Sequence, residues 1–402
     1  MSARISIAVL ALGLALAGPA MASDVGYIYG RVELQTGESY EGELRWGDEE
    51  AFWDDIFNSD KVENENLAYF DRGQLERIRS RHSSGWNLLG VFDPDLNHMF
   101  AARFGDLKRI DVKGGDDLIA EFRNGRTLRL HGGSNDVGAV ITVLDPKRGR
   151  REVKWNRIRT IGFEDTPAKL ADKLGEPIYG TVKTGRYEFA GRIQWDNDET
   201  LTTDELDGET PHGKESIEFG DIAAIRRYRS GALVTLKSGS DLYLRGTNDV
   251  NSENRGIVVI VDGVGSVKVG WQDFDGVKFS RPAESGRAYA EYAKASNLSG
   301  TVVARDGRRI DGRIVFDLDE SWDFELLQGM NHDTEYLIPF RDIARITRQG
   351  LWRSVVELHN GLSIELEGGQ DVSRKNEGLL VFAADREPTY FDWRDVTEIT
   401  FR

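Results

Sequence analysis

The sequence of 402 residues contains no cysteine. This absence excludes disulfide bonds, iron–sulfur clusters, cysteine-ligated zinc and a lipid-modified N-terminal cysteine. Histidine is also scarce, and its positions do not follow the spacing of metal ligands: His82, His98, His131, His212, His332 and His359. We therefore expect no transition-metal centre of the usual kinds.

Recognisable catalytic motifs are missing as well. The sequence has no nucleophile elbow, no phosphate-binding loop and no dinucleotide fingerprint. Glycoside hydrolysis needs only two carboxylates about 5–10 Å apart, and a chain this rich in acids forms such pairs by chance. An enzyme is the less favoured class, and its most specific form is a carbohydrate-active enzyme that uses an acidic pair.

Basic residues are outnumbered by acidic ones. The chain has 52 Lys and Arg against 68 Asp and Glu, which gives a formal net charge of −16. Such a surface repels nucleic acid phosphates. We expect no nucleic acid partner, whereas basic partners, metal cations or neutral ligands fit better.

Long apolar runs are confined to the N-terminus, where Arg4 precedes an apolar stretch over residues 5–17. The stretch ends in Gly18-Pro19-Ala20-Met21-Ala22, whose small residues fit an Ala-x-Ala cleavage site. It is shorter than the ~20 residues of a membrane span. We predict a signal peptide over residues 1–22, cleaved after Ala22, a periplasmic or secreted mature chain, and no integral membrane span.

What the sequence has in abundance is repetition. An aromatic residue followed by a short aliphatic pattern occurs at Phe104, Trp155, Phe219, Trp271, Phe340 and Trp393. We call these the aromatic strings, and we expect their rings in the core. Asp stands two residues after the aromatic residue in five strings, where its carboxylate is expected to cap a 3₁₀ turn. The strings predict six copies of one small unit.

A larger repeat contains these units in pairs. The segments that begin at Gly30, Gly180 and Gly300 have the same order of motifs, which predicts three tandem repeats. Their predicted bounds are residues 23–165, 176–280 and 297–402, with helical linkers at 166–175 and 281–296. The first repeat is about 30 residues longer than the others. This insertion is placed at about residues 58–99 and includes a short helix near residues 74–81.

Each half of a repeat carries signals for about five short strands. Asn124-Gly125, Ser238-Gly239 and Asn360-Gly361 lie between alternating apolar runs and predict hairpins. Five short strands with little helix are typical of a small barrel, whose closure removes exposed sheet edges. We predict an all-β protein of three tandem repeats, each a pair of five-stranded barrels. A six-bladed β-propeller is the alternative.

The third repeat carries the clearest likeness to a known family. Val302, the turn Asp306-Gly307, Gly312 and the string at Phe340 resemble an Sm-like or SH3-like small β-barrel. The resemblance implies a second strand that bends strongly at its glycine and a one-turn 3₁₀ segment between the last two strands. Sm-like proteins bind RNA through an Asp–x–x–x–Asn loop and a later Arg-Gly pair, and neither is matched here. RNA binding is therefore not implied.

Several residues are candidates for ligand or partner binding. Tryptophans among acidic residues suit a basic peptide or a sugar, and apolar side chains in the insertion suit a protein. The repeated Asn-Asp-Val loops fit either an Asx turn or a repeated ligand contact. The candidates are Trp53, Trp86, Phe92, Phe100, Trp322, Asn135, Asp136, Asn248, Asp249 and Asp371.

Carboxylates are crowded after the second strand of each repeat. Oxygen-rich clusters can hold Ca²⁺, although these lack the full EF-hand spacing and a solvated charged turn is the simpler interpretation. The calcium candidates are Asp196, Asp198, Glu199, Asp317, Asp319 and Glu320. We expect no catalytic residue and no cofactor other than Ca²⁺.

Repetition without a catalytic constellation favours a non-catalytic binding or scaffold protein of the bacterial cell envelope. Such a protein presents several similar surfaces to a protein or polymer partner. The insertion in the first repeat is the expected unique contact surface. The alternatives are the carbohydrate-active enzyme and a calcium-binding structural repeat protein.

Overall fold

A computed structural model describes residues 23–82, 99–132, 136–282, 284–292, 294–384 and 387–402. The predicted signal peptide and the candidates Trp86, Phe92 and Asn135 lie outside these ranges. Within them the chain is all-β, as predicted, with 30 strands, eight 3₁₀ turns and one α-helix. Among the described residues, no helix has the length and apolar character needed to cross a membrane.

The strands fall into three consecutive groups of ten, which we call set 1, set 2 and set 3. Set 1 comprises β1 (Tyr29–Leu34), β2 (Ser39–Trp46), β3 (Ile56–Lys61), β4 (Met99–Arg103), β5 (Leu107–Gly114), β6 (Asp117–Phe122), β7 (Thr127–His131), β8 (Val140–Asp145), β9 (Gly149–Lys154) and β10 (Ile158–Phe163). The helix α1 (Arg72–His82) and a 3₁₀ turn (Glu65–Tyr69) lie between β3 and β4. The helix predicted near residues 74–81 is confirmed.

The other two sets follow the same plan. Set 2 comprises β11 (Tyr179–Thr184), β12 (Glu188–Gln194), β13 (Glu205–Thr210), β14 (Gly213–Glu218), β15 (Ile222–Tyr228), β16 (Gly231–Leu236), β17 (Asp241–Leu244), β18 (Ile257–Val261), β19 (Gly265–Val269) and β20 (Phe274–Phe279). Set 3 comprises β21 (Ser299–Ala304), β22 (Arg309–Val315), β23 (Leu326–Asn331), β24 (Thr334–Pro339), β25 (Ile343–Gln349), β26 (Arg353–Leu358), β27 (Ser363–Glu367), β28 (Leu379–Phe382), β29 (Thr389–Phe391) and β30 (Val396–Phe401).

Strand pairing follows one order in all three sets. Set 1 is a ten-stranded antiparallel sheet in the order β4-β3-β7-β6-β5-β10-β1-β2-β8-β9. The corresponding pairs recur in set 3, and in set 2 the β13–β14 hairpin meets β17 through a single bridge between Glu209 and Arg245. The pairing of β19 with β24 joins sets 2 and 3 into one sheet of 18 strands.

The sheets are not closed into five-stranded barrels. In set 1, β10 pairs with both β1 and β5, so the two predicted halves form one continuous sheet. The halves also exchange strands, because β1 and β2 lie with β8–β10 while β3–β5 lie with β6 and β7. The described sheets do not form six separate four-stranded blades either, which the propeller alternative would require.

The aromatic strings meet in pairs inside shared cores. Trp46 lies 5.1 Å from Phe104 and 5.8 Å from Trp155 between ring centroids. In set 2 the corresponding distances from Trp195 are 6.0 Å to Phe219 and 6.3 Å to Trp271. Because each pair of strings fills one core, the ten strands of a set are one packing unit.

The 3₁₀ turn implied by the resemblance forms at five strings, but aspartate does not cap it as predicted. The turns are Phe104–Asp106, Trp155–Arg157, Phe219–Asp221, Phe340–Asp342 and Trp393–Asp395. The string aspartate is the last residue of its turn, and at Phe104, Phe219 and Phe340 there is no side-chain cap. Asp106 is instead buried and pairs with Arg341 at 2.8 Å.

Repeated glycines in the second strand of each set allow close contact between backbones. A Cβ atom on Gly42, Gly191 or Gly312 would lie 2.0, 2.0 or 2.3 Å from a carbonyl oxygen of the neighbouring strand. Any side chain there would force the strands apart. The glycines are therefore required by the close approach of the two strands.

The predicted helical linkers are largely irregular. Residues 166–175 contain no helix, because the amides of Leu170 and Leu174 donate to the carboxylates of Asp24 and Glu43 rather than to helical carbonyls. Within residues 281–296, the described part has a single 3₁₀ turn, Tyr289–Glu291. Its tyrosine joins the core of set 1.

Each set contacts the other two. Tyr27, Phe52 and Leu201 form an apolar cluster between sets 1 and 2. The described part of the insertion packs on set 3, where Phe70 lies 5.3 Å from Tyr390 between ring centroids. Phe70 and Ile78 therefore pack against their own chain, whereas Tyr69 and Met99 are 50 % and 52 % exposed. The predicted partner surface stays a prediction.

Candidate functional site

The three sets enclose a cavity of about 560 Å³ where they meet. Set 1 contributes Arg103 to the wall, set 2 contributes Arg192, and set 3 contributes Asp342. The charged residues of the wall, among those that the structure describes, are Arg103, Arg192, Arg287, Asp54, Asp262, Glu284, Glu291 and Asp342. This central cavity is our candidate site, since it combines both signs of charge and exists only in the assembled chain.

A second cavity of about 380 Å³ adjoins the first. The two share Ile56, Ile260, Ser266 and Leu337 in their walls. The second cavity is rich in carboxylates, including that of Glu50. The two cavities therefore have part of their wall in common.

Arg103 ends β4 and is 5 % exposed. Its Nε lies 3.4 Å from Asp106 Oδ2, and its guanidinium lies 5.1 Å from the ring centroid of Tyr292. Its Nη2 is buried and has no hydrogen-bond partner among the described residues. A buried donor without an acceptor is costly, so an acceptor supplied by a ligand would stabilise it.

Arg192 of β12 is in the same situation at 6 % exposed. Its Nη1 lies 2.6 Å from Asp55 Oδ1, and its guanidinium lies 4.3 Å from the ring centroid of Phe52. Within the described part of the chain, Nη2 again has no hydrogen-bond partner. Two buried guanidiniums with spare donors thus line the central cavity.

The pairing of Arg192 with Asp55 belongs to a repeated pattern. Asp55, Asp204 and Glu325 occupy equivalent positions, and each carboxylate accepts two backbone N–H groups of the preceding turn. Each also pairs with a cation of another set. The pairs are Arg192 with Asp55 at 2.6 Å, Arg45 with Asp204 at 2.8 Å and Lys61 with Glu325 at 2.6 Å. Buried ion pairs therefore connect the sets around the site.

The aspartates of the predicted Asn-Asp-Val loops make structural contacts. Asp136, Asp249 and Asp371 are buried. Their Oδ2 atoms accept from backbone N–H groups of β3, β13 and β23, each at 2.6 Å. The carbonyls of Asp136 and Asp249 also accept from the indole N–H of the core tryptophans, at 2.8 and 2.9 Å. The loops hold their own sheets together.

Asp136 and Asp249 each lie near a glutamate, and burial makes these carboxyl groups harder to ionise. Burial raises the pKa of Asp136 to about 7 and that of Asp249 to about 6. Burial and the neighbouring Asp249 raise the pKa of Glu199 to about 9. The pKa values of Glu50 and Glu320 are also raised well above the ordinary range, by burial first and then by adjacent carboxylates.

These shifts predict that the protein is more stable at pH 5 than at pH 8. Between its unfolded and folded pKa values, Asp136 binds more protons in the folded state, so its stabilising contribution is lost as the pH rises through about 7. For Asp136 alone the difference is roughly 2–3 kcal/mol, from about 1.4 kcal/mol per pKa unit. Urea unfolding in EDTA at both pH values measures it. Asp136→Asn should reduce the difference, and lower stability at pH 5 in the parent chain would contradict the prediction.

The aromatic candidates do not form a surface patch. Trp53 is fully buried, and its indole N–H donates to Thr166 Oγ1 at 3.0 Å. Phe100 is buried against Phe122, with 5.7 Å between ring centroids. Trp322 is half-buried beneath the guanidinium of Arg126, 4.9 Å from the ring centroid. As folded, Trp53 and Phe100 have no ring face available to a ligand.

The calcium candidates divide between the two sets. Carboxylate oxygens of Asp317, Asp319 and Glu320 all lie within 4.8 Å of one another. In set 2, Asp198 instead pairs with Arg255, and the exposed Asn248 donates to Asp196. A third group, Glu49, Glu50 and Asp136, is equally close together.

Sequence reasoning missed the residues of the central cavity. Arg103 and Arg192 belong to apolar strands, and their partners come from the next string or from another set. The sequence could have shown only that a basic residue stands at an inward position of a strand. That position does not tell which acidic residue the arginine contacts.

The fold and the cavity define an all-β protein with large antiparallel sheets and a ligand-sized space between its three sets. Comparison of the chain with protein-family models, curated proteins and solved structures found no match.

Proposed function

We propose that this is an exported, non-catalytic binding protein of the bacterial cell envelope whose ligand occupies the central cavity. The main support for this proposal is the cavity of about 560 Å³, which is lined by residues of all three sets. Ligand pockets in proteins span about 300–1,000 Å³. A small molecule, or the end of a peptide or polymer, therefore fits its size.

We also infer that the three sets are copies of one unit, and that the two halves of each set share one core. The same strand order in each set supports this inference, as does the 3₁₀ turn that leads into β5 and β10. Three copies of one unit present similar surfaces to one another where the sets meet. The binding site then arises between copies, and not on each copy separately.

Charge indicates the ligand's chemistry. A guanidinium group donates charge-assisted hydrogen bonds to a carboxylate, and Nη2 of both Arg103 and Arg192 has no hydrogen-bond partner among the described residues. Asp54 and Asp342 in the same wall favour a cationic group. We infer a ligand with a carboxylate and an amine, as at the peptide-bearing ends of an envelope polymer or at a peptide terminus.

Binding of soluble peptidoglycan fragments, measured by titration calorimetry on the mature chain, tests this function. Arg103→Lys and Arg192→Lys retain the positive charge beside Asp106 and Asp55 but remove the planar fork. Each is expected to weaken binding by roughly tenfold or more, since a charge-assisted hydrogen bond contributes about 1.5–3 kcal/mol.

Arg353→Lys is the matched control, because Arg353 of β26 is an exposed arginine that pairs with Glu365 of β27 and does not line the cavity. It should bind as the parent does. Equal affinity in all four proteins would place the site elsewhere, and no binding by the folded parent would contradict the proposed ligand class.

A further inference from the structure

A compact group of buried acids lies on the turn after β22. Asp317, Asp319 and Glu320 are 0, 4 and 9 % exposed. Their carboxylate oxygens lie within 4.8 Å of one another. Asp371 lines the same small cavity, of about 90 Å³, as Asp317 and Glu320. Four carboxylates thus lie close together away from bulk water.

One oxygen of this group has no partner. Glu320 Oε2 is buried and has no hydrogen-bond partner among the described residues. The side chain lies within the cluster, because its ligand oxygen is one of those within 4.8 Å. A buried carboxylate oxygen without a donor is expensive, and a cation is the partner that would satisfy it.

Set 2 has the same acids but also its own cation. Asp196, Asp198 and Glu199 stand at the equivalent positions, and Arg255 pairs with Asp198 and lies 3.6 Å from Asp196. The amide of residue 255 donates to Asp196, just as the amide of residue 377 donates to Asp317. Position 377 is therefore equivalent to 255, but it is Glu377. The internal arginine is replaced by a further acid.

The cation near this cluster is Lys61, which belongs to set 1, and Glu325 is its nearest carboxylate. Its Nζ lies 2.6 Å from Glu325 Oε1 and 2.8 Å from the Asp319 carbonyl oxygen, whereas Asp319 Oδ2 is 3.5 Å away. Lys61 therefore pairs most closely with Glu325 and at a longer distance with Asp319, so one ammonium group serves several carboxylates.

We propose that Asp317, Asp319 and Glu320 bind one divalent cation, with Ca²⁺ as the favoured ion. Hard oxygen ligands select Ca²⁺ or Mg²⁺, and Ca²⁺–oxygen distances of about 2.3–2.6 Å place two ligands of one ion up to about 5 Å apart. The cluster meets that limit, and the adjoining cavity has room for coordinating water. Binding of the ion to the folded chain raises the stability of that chain.

Calorimetric titration of CaCl₂ into the chelator-treated mature chain tests the site. Glu320→Gln keeps the shape but removes the charge, and Glu377→Arg introduces the cation that set 2 has at the same position. Both are expected to lose one Ca²⁺ site per chain, together with the Ca²⁺-dependent rise in melting temperature. Circular dichroism establishes that each variant is folded.

Glu199→Gln is the matched control. It makes the same change at the equivalent position of set 2, where Arg255 already supplies a cation, and it should leave the site count unchanged. No Ca²⁺ binding by the parent at millimolar concentration would overturn the proposal. An unchanged site count in the folded Glu377→Arg chain would also overturn it.

Discussion

Replacing Phe104 with alanine is expected to unfold set 1 as a whole. Phe104 is fully buried, and its ring lies 5.1 Å from Trp46, 5.8 Å from Phe57 and 6.1 Å from Phe163 between centroids. Those residues come from β2, β3 and β10, which belong to both halves of the sheet. Truncation of a buried Phe costs about 3–5 kcal/mol, and one core transmits that cost to all ten strands.

Hydrogen exchange measured by mass spectrometry distinguishes one core from two. In the Phe104→Ala chain, amides of β1–β10 should lose protection together. Phe340→Ala, the equivalent change in set 3, should instead affect β21–β30 first. Loss of protection confined to β3–β7 would show that the halves of set 1 fold separately.

Replacing Lys61 with methionine is expected to destabilise the chain by about 3–5 kcal/mol, the usual cost of removing one partner of a buried ion pair. Burial acts to lower the pKa of Lys61, but the carboxylates of Glu325 and Asp319 outweigh it and raise that pKa. The lysine is therefore charged at neutral pH. Without it, Glu325 is left buried without its cation.

A double-mutant cycle with Glu325→Gln isolates the pair. Urea unfolding of the two single variants and the double variant should give a coupling energy of about 2 kcal/mol. Lys183→Met is the control, because Lys183 forms a 2.6 Å pair with Glu188 at the surface, and surface pairs contribute about 0–1 kcal/mol. Equal effects of the two lysine variants would contradict the structural role of Lys61.

Local sequence signals were reliable where they describe neighbours along the chain. The hairpins predicted at Asn124-Gly125, Ser238-Gly239 and Asn360-Gly361 are β6–β7, β16–β17 and β26–β27. Each glycine has a positive φ, between 82° and 89°. Turn chemistry depends on a few adjacent residues, so the sequence contains all that it needs.

Predictions from local sequence patterns were wrong where the structure depends on partners that are distant along the chain. The linker at residues 166–175 has a helical pattern, but carboxylates more than a hundred residues away take the amides of Leu170 and Leu174. Trp53 among acids suggested an exposed platform, whereas Tyr289 from the second linker stacks on it at 4.4 Å. In both cases a long-range contact outweighed the local preference.

The candidate site could not be predicted for the same reason. Arg192 pairs with Asp55 and Arg341 with Asp106, each across a large separation in sequence. No spacing or periodicity connects such residues. Only the packing of the three sets brings Arg103, Arg192 and Asp342 to one cavity.

The sequence by itself determined that this chain is all-β, where its hairpins turn and which aromatic residues belong to the core, because alternation, turn residues and repeated strings act within a few positions. Only the tertiary structure decided that paired halves share a core, that strands are exchanged between them and that three sets enclose a charged cavity. Those features depend on which strand edges and buried charges meet across long separations, and that choice is made by the packing of the whole chain.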